Sequence, residues 1–224
     1  MADAGRRFKT GIGSHIRFFS RYIRNPSVVG AVAPSSRALS AAVAEPYRRC
    51  DRDCDVLEVG AGTGPVTRYL GSILKPGDTL DICEIQDDFA DILERDVLSR
   101  PEFAQPLVEG RVRVLRHAIQ DLSSDKKYDF VMSGLPLTAF ELRDVEDVFD
   151  VIRRCLKPGG VFSYFEYVGL RRTSRALSLG KKRARVRAVS RYLSSTIQNH
   201  EFARDTVLVN LPPAHARHLR FESV

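Results

Sequence analysis

The feature that most constrains this chain is a glycine-rich turn directly after a short apolar segment. Residues 56–64 read Val-Leu-Glu-Val-Gly-Ala-Gly-Thr-Gly, and a segment with helical character, Val66 to Leu74, follows. A strand, a tight turn and a helix start form the setting that a nucleotide-binding turn requires. Glycine allows a positive φ and lets the backbone approach a ligand without an intervening Cβ. The spacing is G-x-G-x-G, which differs from the G-x-G-x-x-G of dinucleotide-binding folds.

Further strands and helices alternate along the chain. Four more strands are predicted, at Thr79–Cys83, Arg111–Leu115, Tyr128–Met132 and Val161–Phe165, the last after the turn Leu156-Lys157-Pro158-Gly159-Gly160. This alternation predicts an α/β domain with a mostly parallel sheet. Thr206 to Leu211 and Arg217 to Phe221 are predicted to form an antiparallel hairpin around Pro212-Pro213. Glu84 falls at the end of the second strand, where a carboxylate can accept two ribose hydroxyl protons.

The glycine turn, with Glu58 two residues before it, resembles the first motif of the class I S-adenosylmethionine-dependent methyltransferases. The resemblance implies a Rossmann-like sheet with a C-terminal antiparallel hairpin, and S-adenosylmethionine as the cofactor. It implies these cofactor-binding residues: Glu58, Gly60, Ala61, Gly62, Gly64, Glu84, Ile85, His117, Ala118 and Ser133. Relatives often carry an Asp after the third strand that contacts the adenine amine. Here His117 stands in that place, so we expect the backbone near Ala118, or Asp121, to contact adenine.

The charge of the chain is distributed unevenly. The net charge is +7, but residues 1–24 carry +5 and residues 171–191 carry +9, which leaves −7 on the remainder. Two basic segments on an acidic body indicate an anionic partner, either nucleic acid or a membrane surface.

The N-terminal segment favours a membrane. Five large apolar residues share one helical face: Phe8, Ile12, Ile16, Phe19 and Ile23. Arg17, Arg21 and Arg24 fall on the opposite face. A basic face opposite Phe and Ile is typical of a helix that lies in a membrane interface. The alternative is an amphipathic helix packed on the domain with its arginines in solvent, and one helix could do both.

The stretch 25–39, with Val-Gly-Ala-Val-Ala-Pro-Ser-Ser-Arg at its centre, resembles the N-terminal signature of bacterial phospholipid N-methyltransferases. Ser133 to Leu137 and Asn210 to Ala214 extend the resemblance. It implies stepwise N-methylation of phosphatidylethanolamine toward phosphatidylcholine at a membrane surface. Family relatives act on other amino lipids, including ornithine lipid, and these motifs do not separate them. The implied substrate-binding residues are Pro34, Ser35, Ser36, Arg37, Leu135 and Pro136.

A rival interpretation is an rRNA adenine N6-dimethyltransferase, whose fourth-strand motif is Asn-Leu-Pro-Tyr or close to it. In this chain Gly134 replaces the Asn and Leu137 replaces the aromatic residue that would stack on the base. The basic run 171–191 also contains no aromatic residue, whereas single-strand binding usually combines aromatics with charge. The sequence therefore disfavours nucleic acid as the partner.

Methyl transfer to an amine requires the neutral amine, and an alkylammonium has a pKa of about 10. Carbonyls at Ser133 and Gly134, or the phenols of Tyr22 and Tyr164, are the candidate catalytic groups that could accept the proton. The sequence does not choose among them.

The remaining features concern metals, location and domains. We expect no metal site, because the cysteines at 50, 54, 83 and 155 do not form ligand pairs. With no run of about 18 apolar residues and no signal peptide, we expect a cytoplasmic protein, peripheral on the inner face of the cytoplasmic membrane.

Residues 1–45 are predicted to be an N-terminal helix and substrate-covering segment. Residues 46–224 are predicted to form the cofactor-binding domain, with a basic insertion at 169–191.

Overall fold

A computed structural model of the chain describes residues 36–123, 127–169 and 180–222. The predicted amphipathic helix, Tyr22, Pro34 and Ser35 lie outside these residues, as does the first part of the basic run. Our expectations for them stay predictions, and so does the domain boundary at residue 45.

The described part of the chain contains one seven-stranded sheet. Its strands are β1 (Asp55–Val59), β2 (Thr79–Cys83), β3 (Val112–Leu115), β4 (Tyr128–Ser133), β5 (Leu156–Tyr167), β6 (Glu201–Val207) and β7 (Ala214–Arg220). The strand order is β3-β2-β1-β4-β5-β7-β6. The first five strands are parallel, and β7 runs antiparallel to both β5 and β6. The predicted fold class, a mostly parallel Rossmann-like sheet with a C-terminal antiparallel hairpin, is confirmed.

Helices cover both faces of the sheet. They are α1 (Arg37–Val43), α2 (Glu45–Arg48), α3 (Pro65–Gly71), α4 (Asp87–Ile92), α5 (Pro101–Val108), α6 (Leu142–Cys155) and α7 (Gly180–His200). A π-helical turn, Leu93–Val97, follows α4, and short 3₁₀ turns occupy Ile119–Asp121 and Leu137–Ala139.

Alternation along β1 shows how the strands supply two cores. Val56 packs with the cluster that includes Leu39 of α1 and Leu70 of α3. The next residue, Leu57, packs on the other face with the cluster that includes Phe149 of α6 and Leu193 of α7. Successive side chains of a strand point to opposite faces, so a strand covered on both sides is apolar almost throughout.

The predicted turn before the fifth strand lies inside β5. Tyr128 pairs with Leu156, but Phe130 pairs with Val161. The residues of β5 between Leu156 and Val161 therefore interrupt the regular pairing with β4. Gly159 within it has a φ of 75°, a left-handed conformation that glycine adopts without strain.

The predicted bounds of the terminal hairpin were wrong. The first strand of the hairpin is Glu201–Val207, and residues 208–213 are the loop. Hydrophobicity misplaced the strand because β6 is at the edge of the sheet, where most of its side chains are exposed and polar contacts such as that of Asp205 with His218 join the backbone pairing with β7. The second half of the basic run also differs from a plain insertion, because residues 180–191 form the first half of the 21-residue helix α7.

Candidate functional site

The glycine turn lies where the strand order of the sheet reverses. β1 has β2 on one side and β4 on the other, and in open parallel sheets ligands bind in the crevice at such a switch point, beyond the carboxyl ends of the strands. The turn is fixed to both neighbours. The Gly60 N–H donates to the Cys83 carbonyl at 2.8 Å, and the Gly134 N–H donates to the Val59 carbonyl at 2.9 Å.

Gly62 leaves open space at the centre of the turn. Its φ is 57°, and a Cβ built on it would meet no described atom within 4 Å. Gly60 and Gly64 differ, because a Cβ there would collide with Leu135 or with Leu93. The turn is thus packed at both ends and open in the middle, which is the shape of a cradle for a ligand.

Glu84 lies at the end of β2 and reaches the same turn. One carboxylate oxygen accepts from the Gly62 N–H and the other accepts from the Gln86 N–H, each at 2.9 Å. The residue is 1% exposed, and this burial raises the pKa of its carboxyl group, against the lowering effect of the backbone donors. Each oxygen still has acceptor capacity for a ligand hydroxyl.

Glu58, in β1, is buried beneath the turn. Its carboxylate accepts a hydrogen bond of 2.7 Å from the Thr67 hydroxyl on α3. Burial, with a further contribution from the charge of Glu84, raises the pKa of Glu58 from 4.5 to about 7. The structure thus gives Glu58 a supporting position between β1 and α3.

The segment after β4 packs directly against the glycine turn. A Cβ at Gly134 would lie 2.5 Å from the Gly60 carbonyl oxygen, and the Leu135 side chain covers Gly60. The Ser133 hydroxyl accepts a hydrogen bond from the Leu135 N–H at 3.2 Å. Pro136 then precedes the 3₁₀ turn at Leu137. Any side chain at position 134 would require the backbone of one of the two turns to shift.

The residues after β3 form the third side of the site. The Cys83 thiol donates to the His117 carbonyl at 3.1 Å, and His117 Nδ1 lies 2.8 Å from the Ala118 carbonyl, to which it can only donate. Ala118 is buried, whereas Asp121 is exposed in the following 3₁₀ turn. Ile85 is half-buried beside Glu84, and Ala61 is buried within the turn.

Three further predicted residues are Ser36, Arg37 and Tyr164. Ser36 caps α1, and its N–H donates to the Asn210 side chain at 3.0 Å, while Arg37 is exposed next to it. Tyr164 is 1% exposed and packs against Phe149 and Phe162, with its hydroxyl 3.4 Å from Glu166. The described contacts of Tyr164 are those of a core residue, and its role as a proton acceptor stays a prediction.

Sequence reasoning missed two residues of the site, Thr67 and Gln86, and it named Asn210 as part of the motif Asn210 to Ala214 without its contact to Ser36. Gln86 has a buried Nε2 that lacks a hydrogen-bond partner among the described residues. An unpaired buried donor beside Glu84 fits a site that is completed by a ligand. The position of Gln86 two residues after Glu84 was the only available signal.

Three strands also align Ser163, His218 and Asp205 in a hydrogen-bonded row. His218 Nε2 lies 3.1 Å from Asp205, and Ser163 Oγ lies 2.8 Å from His218 Nδ1. Ser163 and His218 are 2% and 1% exposed, and burial lowers the pKa of His218. Because a nucleophile has to reach its substrate, buried Ser163 is not a candidate nucleophile, and the row is a hydrogen-bonded network that runs from the core to the exposed Asp205.

The cysteines and acids form no obvious metal centre. All four thiols are free, and Cys54 Sγ lies 3.3 Å from Cys50 Sγ. In residues 36–123, 127–169 and 180–222, no group of three or more His, Cys, Asp or Glu side chains is placed to hold a metal ion.

The domain family and the two relatives that match this sequence are all methyltransferases. Residues 56–160 match a methyltransferase domain family. The chain is 32% identical over 148 residues to the ornithine lipid N-methyltransferase of Singulisphaera acidiphila, covering 65% of this chain and 74% of that protein. It is 29% identical over 92 residues to the tRNA1(Val) (adenine(37)-N6)-methyltransferase of Pedobacter heparinus, covering 41% of this chain and 36% of that protein.

Among solved structures, the fold is similar to that of the N-methyltransferase NodS from Bradyrhizobium japonicum WM9 in complex with S-adenosyl-L-homocysteine. The TM-score is 0.55 at 12% identity, covering 84% of this chain and 86% of that chain. At this identity the likeness concerns the fold alone.

Buried Glu58 makes stability depend on pH. Because folding raises the pKa of Glu58 from 4.5 to about 7, the folded chain binds this proton more tightly than the unfolded chain. We expect the free energy of unfolding to fall as pH rises from roughly 4.5 to 7, by at most about 3 kcal/mol from this group. Urea unfolding of the wild type and Glu58→Gln across this range measures the effect. Equal slopes in both proteins would contradict it.

The packing of Gly134 gives a second test. Gly134→Ala places a Cβ against the Gly60 carbonyl, and we expect a loss of about 3 kcal/mol of stability from overpacking. Gly110→Ala is the control, because its Cβ would meet no described atom within 4 Å and only its φ of 67° carries a cost, about 1 kcal/mol. Urea unfolding compares the two, and a Gly134→Ala variant as stable as the wild type would show that the Gly134 contact is relaxed at no cost.

Proposed function

Because the chain belongs to the class I S-adenosylmethionine-dependent methyltransferases, we propose that it N-methylates the amino group of a membrane lipid. Ornithine lipid is the favoured substrate, and phosphatidylethanolamine, the first expectation from the sequence, becomes the second candidate. The observation that carries this choice is the 32% identity to an ornithine lipid N-methyltransferase over 74% of that protein. The cofactor is S-adenosylmethionine, which supplies a methyl group on a sulfonium.

The residues at the carboxyl edge of β1, β2 and β4 fit this cofactor. In the proposal Glu84 accepts hydrogen bonds from the ribose hydroxyls. The open space over Gly62 receives the part of S-adenosylmethionine that lies closest to the backbone of the glycine turn. Gln86 offers its unpaired buried amide, and Ala118 borders the adenine side. Gly60, Gly64 and Glu58 act indirectly, by holding the shape of the turn.

The end of β4 is proposed to position the substrate amine. Backbone carbonyls at Ser133 and Gly134 would accept hydrogen bonds from the amine and aim its lone pair at the methyl group. Withdrawal from water would lower the pKa of the amine and favour its neutral form. Ser36, Arg37, Leu135 and Pro136 are proposed to border the lipid headgroup.

The relative from Pedobacter heparinus makes RNA adenine a candidate substrate of a different chemical class from the two amino lipids. Two described features disfavour it. The backbone at Gly134 has no room for an Asn side chain, since even a Cβ would lie 2.5 Å from the Gly60 carbonyl oxygen. Leu137 is 3% exposed and packs into the core with α6, so this position offers no stacking surface to a flipped base.

The proposal places the protein at an anionic membrane surface, on the inner face of the cytoplasmic membrane. The amphipathic pattern of residues 1–24 and the basic charge of 171–191 support this placement. In the part of the chain that the structure describes, no helix has the length and hydropathy to cross a bilayer.

The proposed role of Glu84 predicts the effect of its loss on cofactor binding. Glu84→Ala removes the acceptor for the ribose hydroxyls and for the Gly62 N–H, which costs on the order of 2–4 kcal/mol of binding free energy. Calorimetry with S-adenosylmethionine measures the affinity. Asp87→Ala is the control, because Asp87 is a nearby acid whose side chain is 83% exposed. Equal affinities of both variants and the wild type would reject the assignment.

The substrate is tested in a bacterial host that makes both ornithine lipid and phosphatidylethanolamine. We expect mass spectrometry of its lipids to show methylated ornithine lipid when the wild-type chain is expressed, and none with Glu84→Ala. If phosphatidylethanolamine is the only lipid methylated, it would replace ornithine lipid as the proposed substrate. Methylation of RNA adenine without any lipid product would overturn it.

A further inference from the structure

The loop between β6 and β7 exposes large apolar side chains. Leu208, Val209 and Leu211 are 71%, 78% and 75% exposed, and we call these three residues the apolar tip. Val168, 47% exposed, lies next to the loop, because its N–H donates to the Pro213 carbonyl at 2.8 Å. Clustered exposed apolar residues commonly mark a surface that contacts a partner or a membrane.

The polar residue of the loop turns inward instead. Asn210 is 1% exposed, its carbonyl oxygen accepts from the Ser36 N–H at 3.0 Å, and its amide donates to the Pro212 carbonyl at 2.8 Å. The loop therefore holds a defined shape in which the Asn faces the protein and its apolar neighbours face out. This is the reverse of a usual surface loop, in which polar side chains face water.

The apolar tip and the glycine turn both lie at the carboxyl ends of the parallel strands. Ala214, the first residue of β7, pairs with Tyr167 at the carboxyl end of β5. The carboxyl ends of the parallel strands carry Gly60, Glu84 and Ser133. The loop that precedes Ala214 thus belongs to the edge at which the substrate has to arrive.

Exposed positive charge begins at this edge as well. Arg185 of α7 donates to the Ala139 carbonyl, just beyond β4, at 2.9 Å, whereas α7 ends where β6 begins. The first half of the helix therefore starts at the carboxyl edge, and Arg183, Arg187 and Arg191 on it are exposed. Apolar side chains and exposed arginines near the carboxyl ends of the same parallel strands are complementary to the interface of an anionic bilayer.

We propose that the apolar tip inserts into the interface of an anionic lipid bilayer and sets the cofactor edge of the sheet against the membrane. This inference rests on the proposed function, because it supplies the route by which a lipid headgroup reaches the site. It adds a contact from the C-terminal hairpin to the membrane attachment expected of residues 1–24.

A single tryptophan can report the insertion, since the chain contains none. Val209→Trp in the full chain is mixed with vesicles of phosphatidylglycerol and phosphatidylcholine. We expect a blue shift of its emission and quenching by lipids brominated in the acyl chains. Val108→Trp is the matched control, because Val108 is 86% exposed at the end of α5, on the opposite edge of the sheet, and its emission should not change.

Two results would overturn the inference. One is an unshifted, unquenched Val209→Trp spectrum while sedimentation shows the protein on the vesicles. The other is a blue shift that follows protein concentration without vesicles, which would assign the apolar tip to contact with a second copy of the chain.

An activity measurement separates this inference from the proposed function. The double variant Val209→Asp, Leu211→Asp should lose on the order of tenfold or more of methylation with substrate lipid in anionic vesicles, and little with the same lipid in detergent micelles. Val108→Asp should lose activity in neither. Equal loss of the double variant in vesicles and micelles would count against insertion. A wild type inactive on every amino lipid would overturn the proposed function, while the tryptophan spectra would still decide the insertion.

Discussion

The site depends on the close packing of two backbone turns, the one that follows β1 and the one that follows β4. The contact between Gly134 and the Gly60 carbonyl leaves no space for a side chain, and Leu135 closes over Gly60. Hydrogen bonds to Cys83 and Val59 then fix the turns to β2 and β1. Leu93 packs against Gly64 at the other end of the glycine turn, so the open space above Gly62 is held between two packed ends and is formed by the protein itself.

Two buried acids give this arrangement its electrostatic character. Glu84 is bonded to backbone donors of the turn, and Glu58 is bonded to Thr67 below it. Burial raises the pKa of both carboxyl groups, because surroundings of low dielectric disfavour the charged forms. A cationic cofactor would favour those charged forms, so cofactor binding and the ionisation of this pair are expected to favour each other.

Much of the fold was predictable because its signals are local. Five strands with buried faces and the glycine turn after β1 follow from apolar runs and turn residues, and β2 was located to the residue. The terminal hairpin was misplaced, since an edge strand such as β6 is held by backbone pairing with β7 and carries no hydrophobic pattern. Gln86, Thr67 and the inward orientation of Asn210 were missed because a polar residue beside a turn looks the same in the sequence whether it is buried or solvated. The fold shows that Thr67 bonds Glu58 and that Asn210 bonds Ser36.

The position of the C-terminal hairpin separates two tasks within one sheet. Three strands, β4, β5 and β7, lie between β1, which carries the glycine turn, and β6, which leads into the apolar tip. With the proposed membrane contact, substitutions in the loop would change which surface the protein contacts without disturbing the residues that shape the glycine turn. The fold would then combine a fixed chemical unit with an exchangeable peripheral contact, which would let related chains diversify their targets while keeping one reaction.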